Sequence, residues 1–306
     1  MPTPSLHSVT VIFSPYHVGI RDHAVGAGPG CIREKGLLFQ LQELGVAVHE
    51  LEIGPVDGFD GDIGRSFEVF RRTARLVTAA RDAGSFPIIV SGNCGASVGV
   101  LAGVSKSRGL KEEELGCVWF DAHDDFNVPD TVLSGYFDSM GIAIMAGQCW
   151  KALSKTIPGY KPLNLKKFVH CGLRDLNDIE RSRVAEAGYP VIWGNTESHV
   201  DFKAELEKEL DKRSINPAMI HVDLDCLDST VGQVNKFEPA PGGLSEDDLI
   251  GCLKMLPAKV DAVSLTIASF DPVYDKNDKI AGIAIRGVVS FVRSLLDSGI
   301  LVASNA

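Results

Sequence analysis

The chain lacks an excess of positive charge. Lys and Arg number 30 against 40 Asp and Glu in 306 residues, a formal net charge of −10. Nonspecific nucleic-acid binding needs clustered cations, so the composition argues against that class. There is no CxxC pair. The seven cysteines, at 31, 94, 117, 149, 171, 226 and 252, are odd in number, which argues against a disulfide framework and for a reducing, cytoplasmic setting. No apolar run approaches about 18 residues, so no membrane span is expected. The first residues, MPTPSLHSVTVIF, have neither the basic flank nor the long apolar stretch of a secretory signal. Linkers and internal repeats are missing too, so one domain over residues 1–306 is the expectation. At 45% hydrophobic residues the chain is too apolar for disorder.

What is present is alternation. Short apolar, β-branched runs occur at Ser8–Phe13, Val46–Ile53, Phe86–Val90, Cys117–Phe120, Lys167–Cys171, Pro190–Trp193, Ala218–Val222 and Asp261–Ile267. Runs of this kind read as strands buried on both faces of a parallel sheet. Helical spacing lies between them. Phe67, Phe70, Ala74, Val77 and Ala80 mark one face over Ser66–Asp82. Phe202–Arg213 is charged and reads as an exposed helix, and Ser245 with Asp248 resembles a capping box ahead of Leu249–Leu256. The pattern predicts an α/β, doubly wound, three-layer sandwich with about eight mostly parallel strands. A ligand site in such a sheet lies at the carboxyl ends of the strands.

Three segments there carry chemistry. Asp121-Ala122-His123-Asp124-Asp125 directly follows a predicted strand. Asp121, His123 and Asp125 alternate, so an extended segment aims them one way. Two carboxylates and an imidazole suit Mn²⁺, Zn²⁺ or Fe²⁺ better than Ca²⁺. The alternative is a solvated acidic loop whose aspartates cap helices. His221-Val222-Asp223-Leu224-Asp225 ends another strand with a second alternating acidic pair. Packed carboxylates repel unless a cation compensates them, and these five side chains suffice for two metal ions. Ser91-Gly92-Asn93-Cys94-Gly95 offers either a buried packing cysteine or a thiolate at a helix start.

In this order, DAHDD and HVDLD resemble the arginase–agmatinase (ureohydrolase) family of binuclear manganese hydrolases. Further segments extend the resemblance over most of the chain: Gly28-Pro29 with Ile32-Arg33 and Gly36-Leu37, then Gly172-Leu173-Arg174-Asp175, then Gly242-Gly243-Leu244. The resemblance implies that Asp121 and Asp223 bridge two Mn²⁺ ions, with His123 and Asp225 completing one site. It implies that Asp125 binds the other ion and passes a proton to the leaving amine. A hydroxide between the ions would attack a guanidino carbon. Asn127 and Ser134 match positions that hold a substrate α-carboxylate, which favours an amino-acid substrate over a decarboxylated amine. Trimers or hexamers of a protein that binds a small molecule are implied as well.

Five positions depart from the family pattern. Cys94 stands where a histidine ligand of the first metal is usual, and a thiolate prefers softer ions than Mn²⁺. This also resembles the family's hydroxyarginine-hydrolysing branch. Asp138 replaces a proton-shuttling histidine and needs a raised pKa to serve. Ser269 replaces a glutamate that anchors the guanidinium, while Glu238 replaces a threonine, so Glu238 is expected to supply the lost carboxylate. Asn177 replaces an acidic residue that faces the substrate ammonium. Together these features point to hydrolysis of a guanidino or N-hydroxyguanidino amino acid, releasing urea or hydroxyurea. A formimino-type C–N hydrolase, a non-catalytic relative and a Cys94 thiol enzyme are the alternatives.

Overall fold

Each of the eight apolar runs forms a strand of one sheet in the computed structural model, which describes residues 6–110 and 114–303. The strands are β1 (Ser8–Ser14), β2 (Ala47–Glu52), β3 (Ser85–Ser91), β4 (Gly116–Phe120), β5 (Phe168–Leu173), β6 (Val191–Trp193), β7 (Ala218–Asp223) and β8 (Ala262–Ala268). Their order is β2-β1-β3-β8-β7-β4-β5-β6, and every adjacent pair is parallel. The sheet is therefore wholly parallel. A separate ribbon pairs Tyr16–His17 with Ile20–Arg21. The six inner strands are buried along their whole length, and only the edge strands β2 and β6 are partly exposed. Helices on both faces explain this, because each strand must bury both sets of alternating side chains.

The helices are α1 (Gly28–Glu34), α2 (Leu37–Gln42), α3 (Gly61–Asp82), α4 (Ala96–Lys106), α5 (Gly141–Met145), α6 (Lys151–Ser154), α7 (Asp178–Ala187), α8 (Phe202–Lys212), α9 (Glu246–Lys259) and α10 (Lys279–Asp297). α1, α2, α8, α9 and α10 pack on one side with Val9, Val11 and Phe13 of β1. α3 to α7 pack on the other side with Ile12. That is the three-layer sandwich.

Local detail follows the sequence pattern closely. α3 buries the anticipated face but starts at Gly61, five residues before Ser66. Ser245 Oγ accepts the Asp248 N–H at 3.1 Å and Asp248 accepts the Ser245 N–H at 3.0 Å, the capping box of α9. α8 buries Phe202, Leu206 and Leu210 and leaves its charges outside. α4 packs tightly on α3 because Gly99 has no side chain; a Cβ there would lie 2.5 Å from the Phe70 carbonyl oxygen. All seven cysteines are free, with Cys149 and Cys226 in the core. Among the described residues no helix is long and apolar enough to cross a membrane.

Candidate active site

Four neighbouring inner strands bring the motifs together at their carboxyl ends. In spatial order, β3 leads to Cys94, β8 to Ser269, β7 ends at Asp223, and β4 leads to Asp121. Two of these strands close with the same local turn. The Asp121 carboxylate accepts the His123 N–H at 2.7 Å, and Asp223 accepts the Asp225 N–H at 2.7 Å. An aspartate that captures the N–H two residues on bends the chain back on itself. The turn returns His123 and Asp225 toward the aspartates that precede them. His123 Nδ1 then lies 3.2 Å from Asp225 Oδ2 and 3.6 Å from Asp121 Oδ1.

Two groups of donor atoms result. Cys94, Asp121 and Asp223 form one, and Asp121, His123 and Asp225 form the other; within each, the atoms lie within 4.8 Å of one another. Asp121 belongs to both. The Cys94 thiol donates to Asp223 Oδ2 at 2.9 Å and lies 3.3 Å from Ser269 Oγ. Asp125 falls outside both groups, although it faces the same cleft. Its Oδ2 is buried without a hydrogen-bond partner.

The electrostatics call for a cation. Burial, with Asp225 beside it, pushes Asp121 up to about 6. Burial and neighbouring carboxylates push Asp223 and Asp125 well above the usual range. Burial raises Asp225 too, but the His123 charge and hydrogen bonds outweigh it and hold this carboxyl low. Against burial, Asp225, Asp121 and Asp175 push the His123 imidazole well up. The Cys94 thiol is driven well up by burial and then by Asp223. Carboxylates crowded in this way are stabilised by positive charge, whether a proton on His123 or metal ions in its place. The donor set of carboxylates, one imidazole and one thiol fits two divalent cations sharing Asp121.

Around these groups a second set of contacts fixes their positions. The Trp119 indole N–H donates to Asp121 at 2.9 Å. Asp175 Oδ2 lies 3.5 Å from His123 Nε2 and orients the ring. Arg174 donates to the carbonyls of Gly172, Asp225, Cys226, Leu227 and Ala240, so it ties down the loop that carries Asp225. Asp228 accepts the N–H groups of Gly242 at 2.6 Å and Gly243 at 3.0 Å, which holds the GG turn.

A cleft of about 170 Å³ opens above the donor groups and is lined by Asp125, Asn127, Ser134, Asp138, Glu180 and Phe237 among others. Asp138 is buried and accepts from Asn93 Nδ2 at 2.6 Å, Cys94 N at 3.1 Å and Gly95 N at 2.8 Å. It clamps the loop carrying Cys94, and burial pushes it up to about 6. A Cβ on Gly95 would lie 2.9 Å from Asp138 Oδ1, so this approach requires glycine. Asn127 donates to Glu180 at 2.8 Å, and Ser134 is exposed at the rim.

The remaining sequence candidates are placed differently. Asn177 is an exposed N-cap whose oxygen accepts from Ile179 N at 2.9 Å and Glu180 N at 3.0 Å, and it does not line the cleft. The carboxylate facing the cleft from this segment is Glu180, which sequence reasoning missed. Its signal was the Asn177-x-x-Glu180 capping-box spacing. Glu238 is exposed and lines a small adjoining recess with His123 and Asp225, while Ser269 lines the cleft itself. Ser269 thus lies against the first group, and the recess that Glu238 lines adjoins the second. Asn235 was also missed; it donates to Asp225 at 3.4 Å and to the Ser269 carbonyl at 3.3 Å.

A model of the arginase family matches residues 7–294. The Bacillus subtilis arginase is 28% identical over 306 residues, spanning 96% of this chain and 99% of its own. Its crystal structure superposes with a TM-score of 0.80 at 26% identity, covering 93% of this chain and 98% of that one. The agmatine ureohydrolase of Thermoplasma volcanium shares the fold, with a TM-score of 0.68 at 20% identity over 94% and 90% of the two chains.

Proposed function

The chain belongs to the arginase family, and on that premise we propose that it is a metal-dependent hydrolase of a guanidino or N-hydroxyguanidino amino acid. The carrying observation is the pair of donor groups that share Asp121 beneath a cleft holding Asn127, Ser134 and Glu180. Two divalent ions bound there, Mn²⁺ in this reading, would supply the Lewis acidity that makes water nucleophilic near neutral pH. Cys94, Asp121, Asp223 and Asp125 would hold the first ion, and Asp121, Asp223, His123 and Asp225 would hold the second. Asp125, whose Oδ2 has no hydrogen-bond partner, would carry a proton toward the leaving amine. Asp138, already raised by burial, is the second proton-handling group.

Substrate recognition falls to the cleft walls. Asn127 and Ser134 meet the carboxylate end, Glu180 the ammonium, and Glu238 the guanidino group from its recess. Metal content per chain after reconstitution with Mn²⁺, measured by mass spectrometry, tests the premise. About two ions are expected, and one or none removes the binuclear reading. A panel of guanidino, N-hydroxyguanidino and formimino substrates then reads the activity. The formimino reading has one specific support: Ser269 offers no carboxylate where it meets Cys94. Turnover of formimino compounds alone would replace the guanidino assignment. Assembly into three or six copies in the cytoplasm belongs to the same proposal, and sedimentation velocity checks the copy number.

A further inference from the structure

The cleft is strongly acidic. Asp124, Asp125, Asp138, Glu180, Asp223 and Asp225 all line it, and among the described residues no Lys or Arg does. Beside two of its lining rings, however, stands a lysine that does not itself line the cleft. The Lys236 ammonium lies 5.3 Å from the Tyr136 ring centre and 5.1 Å from that of Phe237, both cleft-lining residues. The two rings are 5.9 Å apart and tilted 60° to each other, so they form a cradle for a cation. Tyr136 stacks in turn on His17 at 5.8 Å. Burial, and next the Lys236 charge, push the His17 imidazole down. Among the described residues Lys236 is paired with no carboxylate.

The lysine is also tied mechanically to the reacting end. Its neighbour Asn235 is buried, donates to Asp225 and to the Ser269 carbonyl, and accepts the Phe237 N–H at 2.9 Å. The segment 235–237 is therefore anchored to Asp225 through Asn235, and the next residue carries an ammonium that pairs with no carboxylate among the described residues. An acidic floor suits a guanidinium, whereas an unpaired cation at the mouth suits an anion. A substrate with a second cation and no anion would be drawn by Glu180 but repelled by Lys236, with nothing to satisfy the lysine.

Building on the amino-acid reading above, we propose that Lys236, cradled by Tyr136 and Phe237, recognises the substrate carboxylate and restricts the cleft to guanidino compounds bearing an anion at the end remote from the reacting carbon. The test uses full-length, Mn²⁺-reconstituted protein and two product-like probes, ornithine and putrescine, which differ by that carboxylate. Affinity is read by calorimetry, so hydrolysis is not needed. Wild type is expected to favour ornithine. Lys236→Met, which keeps an apolar stem over the rings, is expected to lose about tenfold in that preference, and Lys236→Arg to keep it. The preference should also shrink in high salt, since the lysine is exposed. A Lys236→Met protein that keeps the full preference overturns the role of Lys236 and leaves the amino-acid reading standing. A wild type with no preference, or with no binding of either probe, overturns both.

Discussion

At the floor of the cleft, Asp121 and Asp223 close buried strands with the same two-residue turn. At its mouth, Ser134, Lys236 and Phe237 sit on exposed loop segments. The floor is held by the sheet, by the Trp119 indole and by Arg174, so its atoms have little freedom. The mouth is held by a few side-chain contacts, chiefly through Asn235 and the aromatic rings. Rigid strand ends suit the ions, which tolerate small errors poorly, and loops suit the choice of substrate, which changes without disturbing the sheet. The departures from the family pattern follow this division. Asp121, His123, Asp223 and Asp225 are present, and the altered positions Glu238 and Asn177 lie on exposed segments. Cys94 is the clearest exception, because it changes the floor, and the altered Asp138 and Ser269 are buried beside it.

The largest expected effect breaks the floor. Asp121→Asn keeps the shape of the shared residue but removes its charge. Metal content should fall below one ion per chain and activity by at least about a thousandfold, with circular dichroism unchanged. Retention of both ions would show that Asp121 is not shared. Cys94→His sharpens the exception. A harder nitrogen ligand should raise manganese affinity at the first site, measured by competition with a chelating dye. A lower affinity would remove Cys94 from the ligand set.

Smaller effects probe the walls. Glu180→Gln should raise KM about tenfold with kcat much less affected and metal content intact, the mark of lost substrate binding. Glu238→Ala should raise KM as well while leaving the metal alone, and unchanged kinetics would take Glu238 out of the site. The smallest effect lies outside both regions. Glu52 is held by Arg21 and Arg33, and Glu68 by Arg71 and Arg72. Burial pushes both carboxyls up, but the guanidinium groups outweigh it and hold them below the usual range. Such groups add stability above the unfolded value of about 4.3, and that stability is lost as pH falls through the lower folded value. Glu52→Gln and Glu68→Gln should therefore flatten the fall in melting temperature below about pH 4. An unaltered slope would show that these pairs do not contribute.

Much of the fold was legible because its signals are local. Each apolar run in the sequence became a strand, and the Ser245–Asp248 box capped α9 as its spacing implied. The floor was legible for a similar reason: an Asp-x-His or Asp-x-Asp at a strand end carries its own turn. The walls were not. Asn177 and Glu180 share one capping box, and nothing in that spacing says which of the two faces the cleft. Lys236 looked like any surface lysine, because its rings come partly from a segment a hundred residues earlier.

The sequence by itself determined the parallel sheet, the strand ends that carry the acidic motifs, and the family. It could do so because side-chain period, capping and strand-end turns act over a few residues. Only the tertiary structure decided that Asp121 belongs to both donor groups, that Asp138 clamps the Cys94 loop, that Glu180 lines the cleft, and that Lys236 lies over two of the rings that line it. Those relations depend on the strand order β3-β8-β7-β4, which brings side chains far apart in the chain within a few ångströms of each other and so sets which charges must share one buried space.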